Sequence, residues 1–121
     1  MSEVHRLEEE FGRVRDLWSP KVVARVNDQF VKVAKVRGEF VWHRHEHEDE
    51  LFWVLKGSLR LRFEDGEAVL GPGDLYVVPK GVLHRPEADE ECWLVLVEPV
   101  ETKHTGDVES PLTRSIEEQL A

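Results

Sequence analysis

Apolar residues recur at helical spacing only near the start of the chain. Val4, Leu7, Phe11, Val14 and then Leu17 or Trp18 stand three or four apart with charges between them, which predicts an amphipathic helix over about 4–18. Gly12 weakens that helix by about 1 kcal/mol relative to alanine, and Ser19-Pro20 ends it, because a residue before proline avoids helical dihedrals. Its apolar stripe is expected to cover the outside of whatever follows. From Lys21 the spacing shortens. KVVARV and QFVKVAKV flank Asn27-Asp28 and read as a hairpin buried on both faces. In SLRLRF, Leu59, Leu61 and Phe63 share one face and Arg60 and Arg62 the other, with Glu64-Asp65-Gly66 as the turn into a short return, EAVL. ELFWVLK, GDLYVVP and CWLVLVE are three further β-prone runs, the last preceded by an acidic loop, PEADEE. Many short strands with frequent glycine turns predict an all-β barrel over about 21–100. The tail 101–121 is poor in apolar residues and is expected to be ordered only in part.

Bulk properties narrow the possibilities. A length of 121 residues suits one domain, 1–121. Sixteen basic against 25 acidic residues give a net charge of −9, which disfavours nucleic acid and anionic membrane surfaces as partners. The single cysteine, Cys92, excludes an internal disulfide, fits a reducing compartment, and lies in an apolar run where a buried structural thiol is expected. No run approaches the ~18 to 20 apolar residues of a membrane span. The start, MSEVHRLEEE, lacks a signal-peptide pattern. A cytoplasmic protein is the expectation.

The chemistry concentrates in two stretches. GEFVWHRHEHEDELFWVLKG contains His43 and His45, Glu50 and Gly57 as His-x-His-x4-Glu-x6-Gly. GDLYVVPKGVLH contains Gly73, Pro79, Gly81 and His84 as Gly-x5-Pro-x-Gly-x2-His. On an extended backbone His43 and His45 project to one side and Arg44 to the other, so two imidazoles can converge. Glu50 opens one strand, and His84 lies just past a Pro-x-Gly turn. Three imidazoles with one carboxylate suit a divalent ion among Fe, Mn, Ni, Zn and Cu. Taken alone, HRHEHEDE reads first as a solvated loop with no ligand role; its pairing with the second stretch is what points to a site.

Other residues carry weaker expectations. His47 shares the parity of His43 and His45, yet is expected in the loop, in solvent. Glu46, Glu48 and Asp49 are expected to face solvent. Phe52 shares the parity of Glu50 and can line a pocket, while Trp53 points the other way. Arg85 is expected in a surface ion pair and His104 on the exterior.

The paired motifs resemble those of the cupins, and from Trp18 to about Gly106 the chain is similar to small single-domain members likened to the cupin part of phosphomannose isomerase. The resemblance implies a double-stranded β-helix, or jelly roll, usually homodimeric. It assigns His43, His45, Glu50 and His84 as metal ligands and Gly57, Gly73, Pro79 and Gly81 as turn positions, and it names no catalytic residue. One barrel of this kind hosts isomerases, dioxygenases, decarboxylases, storage proteins and sugar-binding regulators. The expected function is therefore metal-assisted action on a small polar molecule, by sugar-type isomerisation or oxygen chemistry. The alternative is a non-catalytic module that binds or senses a small ligand.

Overall fold

The computed structural model describes residues 3–121. Its elements, in chain order, are α1 (Leu7–Gly12), β1 (Lys21–Val26), β2 (Gln29–Glu39), β3 (Glu50–Lys56), β4 (Leu59–Phe63), β5 (Gly66–Leu70), β6 (Leu75–Val78), β7 (Arg85–Pro99) and α2 (Ile116–Leu120). The fold is an all-β jelly roll. Its strands pair antiparallel in the order β1-β2-β7-β3-β6, and β4 joins through β7 while carrying β5 on its other edge. The fifteen-residue β7 is the hub, paired with β2, β3 and β4.

Strand alternation sorts the side chains. Ala34 and Val36 of β2, Phe52 and Val54 of β3, and Cys92, Leu94 and Leu96 of β7 enter one interior cluster, joined by Leu59, Leu61 and Leu70. Lys32, Glu50 and Glu98 share their parity and are buried as well. The outer face carries a second cluster in which Phe11 and Val14 cover Val33 and Val95. Phe11 stacks on Trp93 with ring centroids 4.9 Å apart. Burying a side chain of that size contributes roughly 1.5–3 kcal/mol, and this holds the N-terminal segment down.

Three expectations need correction. The helix covers Leu7–Gly12 instead of 4–18: beyond Gly12 the chain turns, Leu17 bridges to Lys35, and Trp18 adopts φ 56°. Val4 is 76 % exposed and takes no part in the packing. PEADEE is not a loop but the first half of β7, in register with Leu61 and Arg60 through Pro86 and Glu87. Glu87 is buried there because Arg60 (2.7 Å), Arg62 (3.1 Å) and Arg85 (3.2 Å) all donate to its carboxylate, which they hold below the usual range against the desolvation of burial. Finally, the tail folds back. Ser115 and Glu118 form a reciprocal capping box that starts α2, and Gln119 of that helix accepts a hydrogen bond at 2.5 Å from the buried Lys32 ammonium.

Candidate metal centre

His43 and His45 lie between β2 and β3 in extended chain that forms no regular ladder. Only His43 is bridged: its N–H donates to the His84 carbonyl at 3.0 Å, and the His84 N–H donates back at 2.9 Å. Burial still alternates, with His43 and His45 buried and Trp42, Arg44 and Glu46 exposed. The turn of the second motif clamps this segment. Gly81, at φ 81°, donates its N–H to the His45 carbonyl at 2.8 Å, and the Lys80 N–H donates to Asp49 Oδ1 at 2.8 Å. Asp49, expected to be a solvent-facing residue, therefore also ties the two motifs together. Glu50 is the first residue of β3 and His84 immediately precedes β7.

The four side chains converge. Their donor atoms all lie within 4.8 Å of one another, and all four residues are buried. The His43 ring centroid is 4.4 Å from that of His84 and 4.9 Å from that of His45. Glu50 Oε1 is 3.4 Å from Nε2 of both His45 and His84. Nδ1 of His43 and Nδ1 of His84 each sit 2.9 Å from the carbonyl oxygen two residues upstream, Val41 and Val82 respectively. A carbonyl only accepts, so each Nδ1 carries the proton and each Nε2 presents a lone pair. Both rings are thereby locked in the tautomer and orientation a metal requires.

The donor set fits a metal ion on a second count. His84 Nε2, both nitrogens of His45 and Glu50 Oε1 are buried without a hydrogen-bond partner. Orphaned polar atoms of this kind are costly, and four converging donors share one economical partner, a cation. Donors about 2.1 Å from a common centre lie roughly 3 to 4 Å apart, close to the observed spacing. The electrostatics agree. Burial and the neighbouring His84 push the His43 pKa down to about 4 and keep it neutral. Burial opposes charge on both His45 and Glu50, but their close approach and mutual attraction outweigh it, raising His45 and holding Glu50, which also faces His84, well below the carboxylate range.

Beside the donors lies a cavity of about 30 Å³, bordered by His43, Glu50, Phe52, Phe40, Trp18 and His104. Trp18 is fixed there by two hydrogen bonds, N–H to the Lys35 carbonyl and Nε1–H to the Arg37 carbonyl, both 2.9 Å, and by stacking on Phe40 at 4.6 Å. These contacts hold the left-handed backbone at Trp18, which costs a residue with a Cβ on the order of 1–3 kcal/mol. Phe52 meets the His84 ring edge at 6.1 Å, and Trp53 points outward. His47 is exposed, while Arg85 pairs with Glu39 at 2.9 Å and covers the Trp42 ring. Cys92 is fully buried and its thiol is pushed up to about 12 by that burial, which makes it unreactive.

Two features escaped the sequence reading. His104 is half-buried at the cavity instead of exposed, and no local pattern in TKHTGD marks it. Lys32 lies wholly inside, donating to Glu98 Oε1 at 2.9 Å. Its parity with Ala34 and Val36 was the available signal. Burial and the Glu50 carboxylate raise the Glu98 carboxyl, and the Lys32 ammonium opposes them only in part.

A family model described as the cupin domain matches residues 29–98. The YdbB protein of Bacillus subtilis is 40% identical over 86 residues, which cover 70% of this chain and 76% of that protein. Among solved structures, a cupin-2 domain containing protein from Shewanella frigidimarina superposes with a TM-score of 0.78 at 45% identity, covering 79% of this chain and 94% of that one. Protein NMB1881 from Neisseria meningitidis gives a TM-score of 0.74 at 30% identity, covering 80% of this chain and 99% of that one. Among the described residues, no helix is long and apolar enough to cross a membrane.

Proposed function

The chain belongs to the cupin family, and on that premise we propose that it is a metal-binding cupin acting on a small polar molecule. The observation that carries this reading is the convergence of four buried donors, several without any protein partner, on one point beside a cavity. His43, His45, Glu50 and His84 hold the ion. It supplies Lewis acidity or, if redox-active, oxygen activation. The protein supplies the rest. The Val41 and Val82 carbonyls orient two imidazoles, Glu50 contributes the negative charge, and Trp18, Phe40 and Phe52 keep bulk water from the chamber.

A second reading, a module that binds or senses a small ligand without transforming it, is supported by the size of the chamber. At about 30 Å³ it accommodates roughly two waters. The two readings share the ion and divide on turnover. Elemental analysis of protein purified from its native host tests the shared part: one equivalent of a transition metal per chain is expected. His45→Ala and His84→Ala should each abolish it while circular dichroism still reports the barrel. Unchanged metal in either variant refutes the assignment.

The homodimer implied by the family is part of the proposal. It is supported by β6, an edge strand that among the described residues pairs only with β3 and exposes Leu75, Tyr76 and Val77 in succession. Sedimentation equilibrium is expected to give twice the chain mass. Val77→Lys should shift the protein toward monomer, and a monomeric wild type would rule the dimer out.

A further inference from the structure

Among the described residues, one titratable side chain besides His43 and Glu50 borders the cavity. His104 lies in the turn-rich segment after β7, outside the stretch matched by the family model. Its ring stands 4.9 Å from that of Phe40, which in turn meets His43 at 5.4 Å, so one aromatic ring separates it from a metal donor. The loop is pinned to the metal segment itself. Gly106, in the left-handed region at φ 59°, packs so closely on the Arg44 carbonyl that a Cβ would collide with it, and Arg44 stands between His43 and His45.

The hydrogen bonding of the ring fixes its polarity. The Arg114 backbone N–H donates to His104 Nδ1 at 2.9 Å. A nitrogen that accepts carries no proton, so in the neutral ring the proton is on Nε2. Burial keeps the ring neutral, pushing its pKa down to about 4. Nδ1 is taken by the tail, and His104 is among the residues that border both the cavity and the tail groove, which leaves Nε2 as the ring nitrogen without a protein partner. The rest of that wall offers no competing side-chain donor: Phe40, Phe52, Leu94 and Leu96 are apolar, and the Trp18 N–H is committed to the Arg37 carbonyl. A donor retained in an apolar wall and unmatched by protein is suited to an acceptor from outside.

Resting on the metal-site reading above, we propose that His104 is a ligand-binding residue whose Nε2–H donates to an acceptor atom of the small molecule that enters the cavity beside the four donors. The class it selects is the smallest acceptor-bearing molecules, carboxylate or carbonyl compounds of a few heavy atoms, in keeping with a chamber of about 30 Å³. An ammonium group would meet the Nε2–H with like polarity and is rejected.

Azide, a small linear anion with an acceptor at each end, is a suitable probe. Cobalt-loaded protein is titrated with azide and followed by the cobalt visible bands, in the wild type, His104→Phe and His104→Gln. The phenylalanine keeps the packing on Phe40 and removes the donor, whereas the glutamine amide restores an N–H near the position of Nε2. Azide dissociation constants are expected to rise about tenfold in His104→Phe and to recover most of that loss in His104→Gln, with cobalt stoichiometry equal in all three proteins. In metal-free wild type, imidazole ¹⁵N shifts should report the Nε2–H tautomer of His104 at neutral pH. Equal azide affinity in wild type and His104→Phe, an Nδ1–H tautomer, or cobalt lost with the substitution would each overturn the proposal. A wild type that takes up no cobalt would instead sink the metal reading on which it stands.

Discussion

Each of His43 and His84 is held at three points: its N–H and carbonyl are tied to the other's backbone, and its Nδ1 to a carbonyl two residues back. His45 has no such second tether, because its Nδ1 is buried without a partner. It is also the ligand whose proton affinity is raised, by Glu50, whereas His43 is pushed down to about 4. Protonation competes with metal binding, so acid attack on the site begins at His45 and reaches His43 last. Metal affinity, measured by competition with a chromophoric chelator, should fall about tenfold per pH unit once His45 takes up its proton. That onset should come at a higher pH than for an ordinary imidazole. Affinity unchanged from pH 7 to 5 would contradict the assignment.

At the scale of elements, β7 joins three partner strands and any distortion of it is felt throughout the sheet. Gly57, in the turn between β3 and β4, sits at φ 85° with its Cα against this strand, and an added Cβ would lie 2.7 Å from the Glu91 carbonyl oxygen. Gly57→Ala should therefore destabilise the fold by roughly 2–3 kcal/mol in urea unfolding; a loss under about 0.5 kcal/mol would show that the turn relaxes freely.

The same strand shows what the sequence could and could not reveal. CWLVLVE was legible because its apolar run needs no partner to be recognised. PEADEE was not, since four acidic residues beside a proline read as solvated until Arg60, Arg62 and Arg85 are seen to gather on Glu87. The helix was overextended because helical spacing in Val14 and Trp18 was produced by a turn that buries them by another route. The convergence of His43, His45, Glu50 and His84 was legible because strand parity and a Pro-x-Gly turn constrain those side chains locally. His104 depends on where a tail folds, and no local pattern encodes that.

For the molecule as a whole, the interior is polar at one end. Lys32, Glu98 and Gln119 join β2, β7 and α2 through a single ammonium, with Glu98 also facing Glu50. Removing only the ammonium orphans two acceptors, so Lys32→Met should cost on the order of 3 kcal/mol. Replacing both charged partners, Lys32→Met with Glu98→Leu, should recover most of that loss. Denaturant midpoints at constant m-value provide the comparison, and a double variant no better than the single one would argue against a shared cluster.

The Gln119 contact has a practical corollary. Gln119 ties α2 to the centre of the barrel, so that short helix is a working part of the architecture. Loss of that helix would be felt at the Lys32 ammonium, deep in the interior, long before any strand is lost.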